Sequence, residues 1–154
     1  MKTINNYINE ALIKKDTKIK TLNYFPKDKD ELKSLIAKLL NERGKDADLN
    51  DIDTSAITDM DGLFFILDPH NIDISDWDVS NVKHMRHMFY HCKKFNSDLS
   101  NWNVRNVEDM CEMFAGCKKF NCDLSNWNVS KLIDKKYMFD DCNSLKNIPS
   151  WYKN

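Results

Sequence analysis

Apolar positions along most of this chain fall into columns that recur every 25 residues. With Asp48, Asp73, Asp98 and Asp123 as the first position of each unit, the second reads Leu49, Ile74, Leu99, Leu124. The fifth reads Ile52, Trp77, Trp102, Trp127, and the tenth Ile57, Val82, Val107, Leu132. Leu63, Met88, Met113 and Met138 are each followed by a phenylalanine: Phe64, Phe89, Phe114 and Phe139. The segment Asp98–Val104 returns unchanged as Asp123–Val129. A fixed period of this length marks a stack of repeats in which each unit buries its apolar side against the next.

Inside one unit, Val82, Met85, Met88, Phe89 and Cys92 have the i, i+3, i+4 spacing of a helix face. The next unit repeats it with Val107, Met110, Met113, Phe114 and Cys117, and Asn106 stands where a cap belongs, with Asp109 three residues on. Lys93-Lys94 and Lys118-Lys119 follow, as suits the negative end of a helix dipole. Phe95 through Trp102 reads as the extended piece. The pattern therefore predicts an α/β fold: a short leucine-rich-repeat-like solenoid of about four strand–helix rungs of 25 residues. The rungs cover 48–147, and 148–154 close the far end, where Trp151 stands one residue out of register.

Residues 1–47 do not follow the period and are read as a mostly helical N-terminal cap. Ile4, Tyr7, Ile8, Ala11 and Leu12 suggest a short amphipathic helix, and Lys18–Tyr24 a strand. After Pro26 a clearer helix follows, with Asp28 or Asp30 as cap, one face of Leu32, Leu35, Ile36, Leu39 and Leu40, and Gly44 as stop. Such a segment covers the open apolar end of a repeat stack.

The charge is divided. Residues 1–47 carry 11 basic and 7 acidic groups, the remainder 12 and 17. An acidic repeat body argues against nucleic acid as the main ligand. No apolar run is long enough for a membrane span, and Met1–Asn6 lacks the start of a secretory leader. The expected location is cytoplasmic, or the extracellular surface if a leader has been removed. Five cysteines, three of them in one column (Cys92, Cys117, Cys142), read as buried thiols and not as a disulfide framework.

The units Trp-Asn-Val-(Ser/Arg)-Asn-Val followed by Met-x-x-Met-Phe-x-x-Cys-x-x-Phe-Asn, over 77–96 and 102–121, resemble the BspA-like leucine-rich-repeat proteins of bacteria. The resemblance extends over about 26–147. It implies an α/β solenoid and a role in adhesion or protein binding, although a lipid-attachment cysteine near the start and a wall anchor are not seen.

One cluster stands outside the repeat logic. On a helix, His84, His87 and His91 lie within about 60° of one another, opposite the apolar face. Asp109 and Glu112 occupy the same columns one unit on, and Tyr137 two units on. The six residues form a candidate binding surface. His87 and His91 are spaced for chelation, but the solvated-face reading outweighs it, and no metal or cofactor is assigned. No nucleophile elbow, phosphate loop or His-Glu-x-x-His occurs, so no catalytic residue is assigned. The expected function is a non-enzymatic, monomeric protein-interaction module. The alternative is a phage or mobile-element inhibitor of a bacterial nuclease or defence complex, for example an anti-CRISPR. If the phenylalanine column is the core, Phe114→Ala lowers unfolding free energy by about 3–5 kcal/mol in urea titration, and a loss below about 1 kcal/mol removes the column from the core.

Overall fold

The computed structural model describes residues 21–153. The helix expected over Ile4–Leu12 lies outside the described residues, as does most of the strand expected over Lys18–Tyr24. The end of that segment pairs once, Tyr24 with Ile52 in parallel.

Among the described residues there are two regular elements. Helix α1 spans Lys29–Arg43, and a single turn of 3-10 helix spans Ser150–Tyr152. Asp28 caps α1 by accepting from the Glu31 amide at 2.9 Å, and Gly44, at φ 89°, ends it. Leu32, Ile36, Leu39 and Leu40 are buried, as the sequence pattern requires of an apolar face laid on a core.

Between α1 and the terminal turn the expected strand–helix rungs are absent. No strand is formed in the described residues, and the segment expected to be helical, Val82–Cys92, is a run of turns. This overturns the α/β, leucine-rich-repeat-like reading. Each 25-residue unit is instead an irregular coil of successive β-turns. In the second coil these close as Trp77 to Ile74, Val82 to Val79, Met88 to Met85, Cys92 to Phe89 and Phe95 to Cys92. A chain of turns closing i to i+3 places inward side chains three residues apart, which is also the spacing of a helix face. Asn106 does not cap a helix either: its Nδ2 donates to the Ser80 carbonyl of the coil above at 2.7 Å.

The amides that a helix would use internally go to the neighbouring coil. Met85, His87, Phe89 and His91 donate to Asp109, Cys111, Met113 and Ala115 at 2.8–3.0 Å. One coil further on, Met110, Glu112, Phe114 and Gly116 donate to Asp134, Lys136, Met138 and Asp140. These alternate N–H groups all point toward the C-terminal end of the stack. The amides between them close turns within the coil, and the combination goes with left-handed backbone at His87, His91, Glu112, Tyr137 and Asp141, whose φ lies between 52° and 57°, and at Gly62 and Gly116. Where donation also runs back, from Lys83, Glu108 and Ile133 to the coil above, the coils make isolated parallel bridges, Asp59–His84–Asp109–Asp134, with a further one at Asp48–Asp73.

Two side-chain columns complete the stack. Trp77, Trp102 and Trp127 donate their indole N–H to the carbonyls of Leu49, Ile74 and Leu99, each 28 residues earlier, at 2.9–3.0 Å. Cys92, Cys117 and Cys142 point their thiols at the carbonyls of Phe64, Phe89 and Phe114. Burial pushes the thiols of Cys92 and Cys142 up to about 12, and that of Cys117 higher still. All five cysteines are free. The phenylalanines stack through the centre with ring centroids 5.1, 5.5 and 5.8 Å apart from Phe64 to Phe139.

Polar contacts pin α1 to the first coil. Lys29 meets Asp59 at 2.6 Å, Lys33 donates to the Gly62 carbonyl, and Arg43 holds Asp51 through two 2.9 Å bonds while also reaching the Asp48 carbonyl. The Arg43 guanidinium, and burial acting against it, leave the Asp51 carboxyl below its ordinary range. A depressed carboxyl contributes stability above its unfolded value and loses it as pH falls through the folded one. Asp51→Asn is therefore expected to cost about 1 kcal/mol at pH 6 and progressively less as the pH drops below about 4, in parallel urea titrations. A difference that is constant across this range shows that the pair does not secure α1.

Candidate functional site

The turns that carry left-handed backbone lie on one outer face of the stack. Counted by column, one line of this face is Gly62, His87, Glu112 and Tyr137. A second is Phe65, Tyr90, Ala115 and Asp140, and a third Ile66, His91, Gly116 and Asp141. Glycine or alanine in one coil beside bulk in the next leaves depressions. One cleft of 300 Å³ is lined by Gly62, Phe65, His87, Tyr90 and Glu112. Another, of 320 Å³, has Ala115 and Gly116 among Tyr90, His91, Glu112, Tyr137 and the carboxylates of Asp140 and Asp141. Tyr90 and Glu112 belong to both.

The contacts across this face are close but few. His87 Nε2 lies 3.4 Å from Glu112 Oε1, both side chains being about one-third exposed. Tyr90 has ring contacts to His87, His91 and Phe65 at 5.2, 4.3 and 5.4 Å. The His91 ring covers Gly116 so closely that a Cβ there would stand 2.9 Å from Nδ1. Tyr137 is 60% exposed and free to meet a ligand.

Of the six residues singled out from sequence, the fold brings His87, His91, Glu112 and Tyr137 to these two clefts. His84 and Asp109 stand in the bridge column and line neither. The expectation that the three histidines share a helical turn is corrected, because no helix exists there and His87 and His91 take left-handed backbone. In the column of His84, Asp59, Asp109 and Asp134 each accept from the amide two residues on. In the histidine's own coil that amide, Arg86, is served by Asp61 of the coil above at 2.7 Å. Burial raises the Asp61 carboxyl, against the pull of that hydrogen bond. Sequence reasoning missed Tyr90, Phe65 and Asp140, which become neighbours only once the coil closes. The signal available was Gly62 and Gly116, isolated glycines in columns otherwise held by large residues.

No group of three or more His, Cys, Asp or Glu placed to hold a metal occurs among the described residues. A larger cleft of 660 Å³, lined by Arg43, Asp46, Asp48, Asp51, Asp73 and Asp76, marks the seam between α1 and the first coils. Among its described lining residues the one cation, Arg43, is engaged in holding that seam together. No helix of the described residues is long and apolar enough to cross a membrane.

The chain belongs to the family described as "Mycoplasma protein of unknown function, DUF285", whose sequence profile matches residues 32–151. This corrects the BspA-like leucine-rich-repeat resemblance, since the matched span contains the residues that suggested it. Neither the curated proteins nor the solved structures give a match.

The two glycines of the face separate backbone strain from crowding. Both have positive φ, but a Cβ at Gly62 meets open space whereas one at Gly116 meets His91. Gly62→Ala is expected to cost about 1 kcal/mol and Gly116→Ala more, about 1–2 kcal/mol, with displacement of the His91 ring resonances in NMR spectra. Equal costs and an unmoved His91 would remove the close approach.

Proposed function

We propose that this chain is a non-enzymatic module that binds a protein partner through the His87, His91, Glu112 and Tyr137 face. The observation that carries the reading is a contrast between columns. The inner column repeats one residue, Phe64, Phe89, Phe114 and Phe139, whereas the outer column changes in every coil: Gly62, His87, Glu112, Tyr137. The frame is thus held constant while the surface varies, which suits recognition of a particular partner and not packing.

The backbone supports the same reading. Left-handed conformation costs a non-glycine residue about 1–2 kcal/mol, and His87, Glu112 and Tyr137 all carry that cost at positions where glycine would not. Side chains kept at such a cost on an exposed face point to use outside the fold. Tyr90 and Tyr137 offer amphipathic contact area, and the histidines and carboxylates offer directional polar contacts. Cys111, beside Glu112, is buried, and burial raises its thiol, so the reading assigns it no nucleophilic role. Free thiols along the stack support a reducing compartment.

Glycine substitution separates fold from recognition. The combined His87→Gly, Glu112→Gly and Tyr137→Gly variant is expected to melt at or above the temperature of the wild type, because left-handed strain is relieved by up to about 1 kcal/mol per site against glycine's extra chain freedom. In affinity capture from a lysate of the encoding organism, it is expected to lose the protein that the wild type retains. Equal capture by both proteins contradicts the assignment of this face.

A further inference from the structure

We infer that the outer edge of the last coil docks an extended segment of a partner protein by main-chain pairing. The inference rests on the reading of the chain as a protein-binding module, but it assigns a contact that the side-chain face does not.

The two middle coils show what this edge is built to hold. His87 and His91 donate to Cys111 and Ala115 of the next coil, and Glu112 and Gly116 to Lys136 and Asp140, at 2.8–3.0 Å. In return, the carbonyls of Lys83 and Glu108 accept from Glu108 and Ile133 of the coil below at 2.8 Å. The last coil repeats the same backbone, with φ of 55° at Tyr137 and 56° at Asp141. Yet among the described residues nothing accepts from the amides of Tyr137 and Asp141, and nothing donates to the carbonyl of Ile133. One acceptor and two donors thus remain in ladder order.

The C-terminal tail occupies other positions. The Trp151 indole takes the Leu124 carbonyl at 2.9 Å and stacks on Trp127, while Tyr152 packs on Phe139 with its hydroxyl toward that residue's amide. Side chains on the open edge are uncovered as well: Ile133 is 83% exposed and Tyr137 60%. Open main chain beside uncovered apolar side chains is an arrangement that main-chain pairing with a further peptide segment completes.

The occupant follows from this chemistry. It lies parallel to the last coil, gives an N–H to Ile133, and presents carbonyls to Tyr137 and Asp141. It sets apolar side chains against Ile133 and Tyr137 and a basic one near Asp140 and Asp141. A small anion at the two amides would face three carboxylates, Asp134, Asp140 and Asp141. A second copy would have to offer its first coil, where Lys33 already holds the Gly62 carbonyl and Lys29 holds Asp59 beneath α1.

A suitable probe is the synthetic peptide of residues 82–92, which is basic and in this fold already pairs in parallel beneath the first coil. On adding it to the full, isotope-labelled chain, amide exchange at Tyr137 and Asp141 is expected to slow by about tenfold or more. A peptide of scrambled order is expected to leave both amides unchanged. Ile133→Lys, at an exposed position, is expected to weaken binding about tenfold with an unchanged melting temperature. Binding is expected to persist in the His87→Gly/Glu112→Gly variant, which alters the side-chain face and leaves the edge intact, so the two readings fail separately. Unchanged exchange at Tyr137 and Asp141 with about 1 mM peptide overturns the proposal, as does binding indifferent to Ile133→Lys. A concentration-dependent dimer in sedimentation that Ile133→Lys abolishes assigns the edge to a second copy, and that also overturns it.

Discussion

The fold depends on a ladder along one face of the stack, where the amides of Met85 to His91 and of Met110 to Gly116 that leave their own coil all point to the next one. A buried backbone N–H left without an acceptor costs about as much as a lost hydrogen bond, so each coil must find acceptors outside itself. Met85, His87, Phe89 and His91 find them on the coil below, and the next coil repeats the arrangement. Alternate amides reach the next coil while those between them close turns within their own, and meeting both demands alternates right- and left-handed backbone. That joint requirement explains the positive φ of His87, His91, Glu112, Tyr137 and Asp141, and the presence of Gly62 and Gly116. It also explains why the coils stay irregular, since a strand ladder needs donors and acceptors to alternate on each edge.

A one-way ladder makes the two ends of the stack chemically different. The first coil presents carbonyls, and cations of α1 meet them: Lys33 at Gly62 and Arg43 at Asp48. The last coil presents amides, and the tail answers only some of them. Carbonyls in the interior that the turns leave half-satisfied receive a second donor from the indole and thiol columns. The tryptophans and cysteines are therefore hydrogen-bonding parts of the stack as well as apolar ones. Burial of the thiols follows from the same placement, and it pushes their pKa up.

Much of this was legible in the sequence, and the part that was not has one cause. The 25-residue period, the Phe and Trp columns and α1, with Asp28 or Asp30 as its cap, can be read directly from residue spacing, and the structure selects Asp28. Trp151, one residue out of register, reaches a carbonyl 27 residues back where the others reach 28, so its displacement too had meaning. What misled was Val82, Met85, Met88, Phe89, Cys92, because consecutive turns and a helix both bring every third residue inward. Helical geometry was then assumed for His84, His87 and His91, which placed His84 with the other two. The coil keeps His87 and His91 with Glu112 and Tyr137 but sends His84 and Asp109 to the bridge column. Isolated glycines at 62 and 116 in otherwise bulky columns were the available sign of left-handed backbone.

The most direct test of the one-way ladder is the measurement of scalar couplings across hydrogen bonds in the isotope-labelled protein. These couplings identify which carbonyl each amide uses. The account predicts correlations from the amide nitrogens of His87, Phe89 and His91 to the carbonyl carbons of Cys111, Met113 and Ala115. Correlations from His87 to Lys83 and from His91 to His87, the i to i−4 pattern of a helix, would contradict it.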